Sequence, residues 1–446
     1  MAKRAAESLM SWKGRSTINF QLIPFLGVDP PHIGHLRRSD ASRSRAALRA
    51  LSLSLVYPNP AEPGFGLFIR SRLKSMGALV PMKVVAPVPV FDYSGPAGRL
   101  HLKRRFPLRR CDDGIEILHP RWIYPPGGTP VNLLCLFARL VWLVTRLRRE
   151  FAFQVIDAHF GYPEGVVAAL LAVWFRCPFI MTLRGNELMF AGYRFRRLFL
   201  RWAIRNASAI VAVSDELRQL AIDLGTQPSK VLVIPNGVDK ETFHPRDRVA
   251  VRTKYGIAPQ ARVVVCAGEL IEAKGHHLVI RAVEGLVREG HDIQLFIAGG
   301  VAHGGPPFEK ELCCLVRQLR LNDRVHLLGW IPPKELAELM SAADLFCLAS
   351  FSEGSPNVVN EALASGTPVA ATNVGAVPNM IPTSEYGIVI PPKDQNALRG
   401  ALRAALSREW NRSAIAIWGQ SRSWDQVAHD VVGVIHRVVT ETYVRN

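Results

Sequence analysis

From about residue 50 onward, short apolar runs alternate with amphipathic segments along most of the chain. The apolar runs predict buried β-strands, and segments with apolar residues at helical spacing predict helices that cover them. Predicted strands are residues 51–57, 82–86, 114–118, 155–159, 179–183, 209–214, 231–234, 263–267, 294–297, 325–328, 345–349 and 369–371. The main predicted helices are residues 67–76, 132–149, 193–206, 276–289, 308–319, 334–341 and 424–438.

Regular alternation of strands and helices is typical of a parallel sheet covered on both faces. Because the pattern occurs twice, we predict an α/β fold with two Rossmann-like, doubly wound parallel-sheet domains that face each other across a cleft. We assign residues 48–240 to the first domain, 241–420 to the second, and 421–446 to a closing helical segment. Residues 1–47 are rich in Arg and Ser with weak periodicity, and they predict a basic, disordered extension.

Charge is distributed unevenly. Residues 1–240 hold 34 Lys and Arg against 16 Asp and Glu, whereas the remaining residues hold 21 of each, so the net charge of +18 lies entirely in the first part. The first half should therefore face an acidic partner: nucleic acid, an anionic membrane surface or a lipid-linked phosphate. No apolar run reaches the roughly 18 residues of a spanning helix, and the basic N-terminus lacks the apolar segment of a signal peptide. Seven scattered cysteines without a C-x-x-C pair favour a reducing compartment.

Two predicted helices combine apolar residues with arginines, four in residues 132–149 and five in residues 193–206. Basic amphipathic helices suit an anionic lipid interface, although Arg stems that cover core residues explain the same pattern. Nucleic-acid binding fits the charge alone, because no binding motif is present and no aromatic residues alternate with the basic ones on a sheet face. We therefore expect a cytoplasmic protein that is peripheral at the inner face of the membrane, with no nucleic-acid partner.

The stretch with the clearest chemistry runs from Glu353 to Glu361 and reads E-G-S-P-N-V-V-N-E. It follows the predicted strand 345–349, and Ser355 is the predicted N-cap of a helix with Pro356 at its first position. A strand, loop and helix in this order aim free backbone N–H groups and the helix dipole at an anion, most simply a phosphate. The two glutamates can then hold hydroxyl groups on either side of a bound diphosphate.

Within its context, this segment resembles the E-x7-E signature of retaining GT-B glycosyltransferases. These are the group 1, family 4 type enzymes of bacterial polysaccharide assembly. Further stretches similar to motifs of that family lie at residues 157–165, 182–187, 235–239 and 268–275. The resemblance covers about residues 51–440 and implies a GT-B fold. The first domain would bind the acceptor, the second would bind the nucleotide sugar, and the closing helix would return to the first domain.

The resemblance implies a hexosyltransferase that moves a sugar from a UDP- or GDP-linked donor, with retention of configuration, to a saccharide or polyprenyl-linked acceptor of cell-envelope or exopolysaccharide biosynthesis. It implies no cofactor. The implied catalytic residues are His159, Glu353 and Lys274. The implied donor-binding residues are Gly268, Lys274, Glu353, Gly354, Ser355, Asn357, Val358 and Glu361. The implied acceptor-binding residues are Gly64, Phe65, Gly66 and Arg184.

Metal and donor chemistry depend on two further features of the sequence. The chain has no D-x-D motif and no His cluster with metal spacing, so we expect no metal site. Lys274 and the helix N-terminus would neutralise the diphosphate instead. Glu269 stands where the family usually has Arg, so one of two cationic clamps is missing and the carboxylate should point away from the diphosphate. The open alternatives are a nucleotide-sugar 2-epimerase of the same fold, a basic nucleic-acid-binding protein, and a scaffold that has lost catalysis.

Overall fold

The computed structural model contains two large sheets, each covered by helices on both faces, and two small two-stranded sheets. It describes residues 48–92, 101–102, 106–124, 129–300 and 308–444. The predicted extension, residues 1–47, lies outside the described residues. The strands are β1 (Ala50–Leu53), β2 (Met82–Val85), β3 (Val88–Pro89), β4 (Phe91–Asp92), β5 (His101–Leu102), β6 (Arg109–Asp112), β7 (Ile115–Leu118), β8 (Arg121–Trp122), β9 (Val155–His159), β10 (Phe179–Leu183), β11 (Ala209–Ala212), β12 (Val231–Val233), β13 (Arg262–Ala267), β14 (Ile293–Ala298), β15 (Val325–Gly329), β16 (Leu345–Leu348), β17 (Val369–Thr372) and β18 (Gly387–Ile390).

After β8, at least one helix separates each strand from the next, and three helices end the chain. The helices are α1 (Leu67–Gly77), α2 (Thr129–Glu150), α3 (Val166–Phe175), α4 (Asn186–Ala191), α5 (Arg194–Asn206), α6 (Asp215–Asp223), α7 (Arg248–Lys254), α8 (His276–Arg288), α9 (Phe308–Gln318), α10 (Pro333–Ala342), α11 (Asn357–Ala364), α12 (Val377–Met380), α13 (Gln395–Ser407), α14 (Arg412–Gly419) and α15 (Trp424–Val444).

The first domain contains an eight-stranded sheet in the order β12-β11-β10-β9-β1-β2-β7-β6, parallel except for β6. Its central strands β1, β9, β10 and β11 are buried at every position because helices cover both faces. Strands β9 and β10 are neighbours in register, with His159 beside Thr182. The loops that follow these two strands therefore leave the sheet side by side, at the edge where α/β sheets hold ligands.

The second domain contains a six-stranded parallel sheet in the order β15-β14-β13-β16-β17-β18, again between two apolar clusters. Strand β13 lies next to β16, so the loops after residues 267 and 348 are also adjacent. Helix α15 packs against α1 of the first domain, and its residues Val427, Val431 and Ile435 lie in the same core cluster as Ile69 and Leu73. The closing helix thus returns to the first domain, as the resemblance implies.

Every predicted strand and helix is present, with ends that shift by a few residues. The largest shifts are at β1, which ends at Leu53, and at α15, which extends to Val444. The pattern-based prediction lacks the short strands β3 to β6 and β8, strand β18, and helices α3, α4, α7, α12, α13 and α14. Within the described ranges, residues Pro130–Glu150 are long and apolar enough to cross a membrane, which corrects the expectation that no such segment exists. One face of that helix lies in the core of the first domain.

Candidate functional site

Lys274 and Glu353 face each other beyond the carboxyl ends of β13 and β16. Lys274 ends a short helical turn, Glu272–Lys274, and Glu353 lies in the loop after β16. Lys274 Nζ lies 2.6 Å from Glu353 Oε1, and Ser350 Oγ donates a hydrogen bond to the same oxygen at 2.7 Å. The two charged side chains are 24% and 11% exposed, so an anion can still approach the ammonium group.

Helix α11 begins just after this pair, and its first-turn N–H groups have no acceptor within the helix. The predicted N-cap is wrong, because Pro356 takes that position with an extended backbone and no side-chain cap. Pro356 has a ψ of 100°, outside the helical range, so the first helical residue is Asn357 and Ser355 lies one position too early to cap the helix. The Ser355 hydroxyl oxygen is buried without a hydrogen-bond partner among the described residues. Val358, also in the first turn, is half-buried.

Glu361 lies one turn inside α11 and is partly buried. Burial, and secondly the negative charge of Asp239, raise its pKa to about 7. The structure gives its carboxylate no hydrogen bond or ion pair with any described residue. A partly buried carboxylate in this state can accept hydrogen bonds from a ligand, and hydroxyl groups would supply them.

His159 ends β9 as predicted, and its ring is fully buried. Nδ1 lies 3.0 Å from an Arg184 guanidinium nitrogen, which can only donate, so the ring proton is on Nε2. Nε2 lies 3.1 Å from Ser52 Oγ and 3.3 Å from Asp157 Oδ2. Burial lowers the pKa of His159 to about 4, so the ring is neutral at pH 7. Both ring nitrogens are thus engaged, and the ring holds Arg184 in place.

The buried carboxylate of Asp157 contacts His159 and forms an ion pair with Arg72. Its carboxylate accepts hydrogen bonds at 3.1 and 3.3 Å from Arg72, whose other terminal nitrogen donates to Thr182 at 2.6 Å. Burial opposes ionisation of Asp157, but the positive charge of Arg72 and the contact with His159 outweigh it and lower its pKa. A buried ion pair of the first domain, Arg72 with Asp157, therefore holds the His159 ring in position.

A chain of hydrogen bonds joins the two domains. Arg184 donates to Asn236 Oδ1 at 3.3 Å, and Asn236 Nδ2 donates to Asn357 Oδ1 at 2.9 Å. Asn236 lies between the two sheets in sequence, and Asn357 is the first residue of α11. Burial, then the charge of Arg72, lower the pKa of Arg184 to about 9, which leaves it cationic at pH 7. These hydrogen bonds thus connect His159 of the first domain with α11 of the second.

The two domains also touch through their backbones. A Cβ built on Gly354 would lie only 2.0 Å from the carbonyl oxygen of Arg184, and one built on Gly185 would lie 3.0 Å from Gly354 Cα. Similarly, a Cβ on Gly64 would lie 2.3 Å from Trp330 Nε1. Residues without a side chain are what allow these close approaches. The loop after β16 and the loop before α1 therefore both meet the opposite domain.

The remaining predicted residues take structural positions around the same loops. Gly268 follows β13, and a Cβ there would meet the Lys274 stem at 3.5 Å. Gly66 has a left-handed φ of 79° and begins α1, and Phe65 before it is half-buried. Arg184 turns its guanidinium toward His159 and over the Phe68 ring, 5.1 Å from its centre. The Glu269 side chain is exposed.

Two further residues organise the site, although the sequence reasoning did not single them out. Glu187 is fully buried and accepts hydrogen bonds from the backbone N–H groups of Gly161 at 2.6 Å, Gly185 at 2.8 Å and Arg184 at 3.0 Å. It therefore ties together the loops after β9 and β10. Asn236 is the bridge described above. Both lie inside stretches that resemble family motifs, which was the available signal.

Comparison with known families gives two matches that together span most of the chain. Residues 247–421 match the family described as glycosyl transferases group 1, and residues 95–242 match the family described as Glycosyltransferase Family 4. The chain is 30% identical over 362 residues to the D-inositol 3-phosphate glycosyltransferase of Xylanimonas cellulosilytica, covering 74% of this chain and 83% of that protein. It is 27% identical to a Bacillus subtilis protein named for teichuronic acid biosynthesis, the glycosyltransferase TuaC, covering 80% and 88%.

Solved structures show the same architecture at lower sequence identity. Sucrose-phosphate synthase from Thermosynechococcus elongatus superposes with a TM-score of 0.71 at 17% identity, covering 88% of this chain and all of that chain. Anabaena Alr3699/HepE in complex with UDP superposes with a TM-score of 0.68 at 19% identity, again over 88% of this chain and all of the other. These similarities establish the fold.

Proposed function

The chain belongs to the group 1 glycosyltransferases, which are GT-B enzymes, and from this premise we propose that it transfers a hexose from a UDP- or GDP-linked donor to a saccharide or polyprenyl-linked acceptor. The observation that carries the proposal is the placement of Lys274 and Glu353 in front of the first turn of α11. A cation, a carboxylate and free N–H groups at one point suit a donor with an anionic diphosphate and a neutral, hydroxyl-rich sugar.

When the donor binds, the ion pair between Lys274 and Glu353 should break, and each side chain should contact a different part of the donor. The diphosphate takes the Lys274 ammonium and the N–H groups of α11, because a doubly anionic group outcompetes a single carboxylate for both. Glu353 is then free to accept hydrogen bonds from sugar hydroxyls. Glu361, deeper in the same helix, does the same for the ribose. HepE was solved with UDP and glucose, and with UDP-glucose, which supports a uridine nucleotide as the first donor to test.

We assign retention of configuration to the transfer. The acceptor hydroxyl oxygen bonds to the anomeric carbon on the face that the diphosphate leaves, the carbon–oxygen bond to the phosphate breaks, and the hydroxyl proton passes to the departing phosphate oxygen. This route needs no protein base, in keeping with a His159 ring whose nitrogens are both hydrogen bonded. His159 instead supports the sugar subsite by holding Arg184. Lys274 and α11 stabilise the charge that develops on the leaving group, so no metal is required.

The proposed cellular position is the cytoplasmic face of an anionic membrane, in cell-envelope or exopolysaccharide synthesis. Helices α2, α3 and α5 form one layer over the first sheet, and this layer exposes large apolar side chains. Trp142 and Phe195 are each 68% exposed, and Leu134 is 59% exposed. Exposed arginines accompany them, and α5 contains five arginines without an acidic residue. Apolar groups beside cations suit the headgroup boundary of an anionic bilayer.

A donor screen tests the enzymatic proposal. UDP- and GDP-sugars are added to the full chain, and the melting temperature is followed, because a ligand that binds only the native state raises it. We expect one nucleotide-sugar class to stabilise the protein and the matching nucleoside diphosphate to do so as well. If no nucleotide or nucleotide sugar shifts the transition at millimolar concentration, the donor assignment is wrong.

Vesicle pelleting tests the membrane proposal separately. The wild type should pellet with phosphatidylglycerol vesicles at low salt and stay in solution with phosphatidylcholine. Replacing the exposed Arg194, Arg197 and Arg201 by Gln should abolish pelleting. The matched control replaces three exposed arginines of the second domain, Arg281, Arg288 and Arg317, and should leave pelleting intact. Equal loss in both triple variants, or tight tRNA binding that displaces the vesicles, would overturn the assignment.

A further inference from the structure

Arg196 lies against three aromatic rings beside the proposed active site. Its guanidinium carbon is 4.9 Å from the ring centre of Tyr193, 5.1 Å from that of Phe190 and 5.8 Å from that of Tyr162. Two of these rings also touch each other edge to face, with centres 5.3 Å apart. We call these four residues the Arg196 cluster. Aromatic faces attract the cation and fix its plane without using its N–H donors.

The N–H groups of this guanidinium make no hydrogen bonds to the described residues. In the described part of the chain, no carboxylate, carbonyl or hydroxyl accepts a hydrogen bond from Arg196, although its side chain is only partly exposed. Arg72 and Arg252, by contrast, bind carboxylates: Arg72 donates to Asp157 and Thr182, and Arg252 donates to Asp344. A guanidinium whose plane is fixed and whose donors are free is suited to an anion that it can bind with two hydrogen bonds.

The Arg196 cluster borders the loops that carry the site. Tyr162 is three residues beyond His159 on the loop after β9, and Phe190 lies on α4, which begins directly after Gly185. The buried Glu187 carboxylate binds both loops, and Gly185 touches the Gly354 loop of the donor side. The cluster therefore adjoins first-domain loops that contact the donor side, and the family resemblance implies that the first domain binds the acceptor.

The surroundings of the cluster indicate an amphiphilic ligand. Tyr193 of the cluster and Met189, which precedes Phe190, are each 54% exposed. Helix α5 adds Arg194 and Arg197 in the same turn, and it has no acidic residue. This concentration of positive charge favours a multiply charged anion over a single carboxylate, and the apolar rim favours a hydrocarbon attached to it.

We propose that the Arg196 cluster binds the diphosphate of an isoprenoid-linked acceptor, with the guanidinium on the phosphate oxygens and the hydrocarbon along Met189 and Tyr193. The proposal rests on the proposed function in that this ligand is the acceptor. It adds a site for the anionic part of the acceptor, separate from the donor diphosphate site at Lys274. It also explains why this arginine is held by rings rather than by a carboxylate, which would compete with the phosphate.

Fluorescence titration of the full chain with farnesyl diphosphate tests the proposal, with farnesol and inorganic pyrophosphate as the two half-ligands. We expect saturable binding of farnesyl diphosphate, weaker binding of each half-ligand, and a dissociation constant for farnesyl diphosphate at least tenfold higher in Arg196→Gln. Arg196→Lys keeps the charge but lacks the fork, so its loss should be intermediate. Arg205→Gln, which removes an exposed arginine from the last turn of the same helix, should stay within twofold of wild type.

Three outcomes would overturn the proposal. Equal losses in Arg205→Gln and Arg196→Gln would show a general charge effect, and an unchanged Arg196→Gln would show no site at all. Pyrophosphate binding as tightly as farnesyl diphosphate would show a free-anion site without a place for the hydrocarbon. Titration with the stabilising nucleotide sugar is the separate readout for the donor site and should be within twofold of wild type in Arg196→Gln. A wild type that binds farnesyl diphosphate but no nucleotide sugar would contradict the proposed function and leave this site standing.

Discussion

Gly354→Ala tests whether the contact between the two domains is needed for activity. Gly354 is not among the glycines with left-handed φ, so alanine brings no backbone strain, only a clash across the domain contact. The new Cβ would lie 2.0 Å from the carbonyl oxygen of Arg184, whereas ordinary contacts begin at about 3.4 Å. The loop and the opposite backbone must therefore separate by about 1.4 Å. Misplacement of reacting groups by about 1 Å can lower the rate about 100-fold.

We therefore expect kcat/KM for sugar transfer to fall about 100-fold in Gly354→Ala, while each domain keeps its own core and the protein remains folded. Gly400→Ala is the matched control, because nothing lies within 4 Å of its Cβ in the exposed part of α13. In a helix interior that change should stabilise by about 0.5–1 kcal/mol and leave kinetics unchanged. Transfer is measured by release of the nucleoside diphosphate, and folding by calorimetry. A folded Gly354→Ala variant with activity within twofold of wild type would refute the role of this contact.

Four further predictions concern the same cleft. Because burial and Asp239 raise the pKa of Glu361 to about 7, donor affinity should increase from pH 6 to pH 8, and Glu361→Gln should lose this dependence. The pKa of Glu361 in the native state lies above the unfolded value of 4.5. The free energy of unfolding of the wild type should therefore fall relative to that of Glu361→Gln as pH rises from about 4.5 through 7. Calorimetry at several pH values measures this difference. Asn236→Ala and Asn357→Ala should each lower kcat, and a double-mutant cycle should give a coupling free energy of about 0.5–1.5 kcal/mol between the two side chains. Strictly additive effects would show that their hydrogen bond does not contribute to catalysis. Turnover should survive EDTA, because Lys274 and α11 hold the diphosphate, and a loss that Mn²⁺ restores would contradict that arrangement.

The sequence was enough to predict the fold because parallel sheets demand uninterrupted apolar strands. Residues 263–267 and 345–349 show that pattern plainly, and the corresponding strands β13 and β16 lie at the centre of the second sheet. The helix starts were harder to predict. Ser355 has the residue type of an N-cap, yet Pro356 itself adopts an extended backbone and takes the N-cap position, so the helix starts at Asn357.

Contacts between distant segments could not be read from the sequence. Asn236 and Asn357 are 121 positions apart, and no local pattern predicts that their side chains meet. Trp330 against Gly64 is a second example. Local motifs predicted which loops form the site, whereas the pairing of side chains across the cleft depends on how the two sheets pack together. The same limit applies to His159, whose position after β9 was predicted but whose enclosure by Ser52, Asp157 and Arg184 was not.

Isothermal calorimetry of donor binding tests the central claim most directly. The nucleotide sugar that best stabilises the wild type is titrated into wild type, Lys274→Ala, Glu361→Gln and Lys310→Ala, the last an exposed lysine on α9 that serves as the control. We predict one donor per chain, a dissociation constant at least tenfold higher in Lys274→Ala and Glu361→Gln, and no change in Lys310→Ala. Unchanged affinity in both site variants, with all proteins folded, would contradict the placement of the donor between Lys274 and α11.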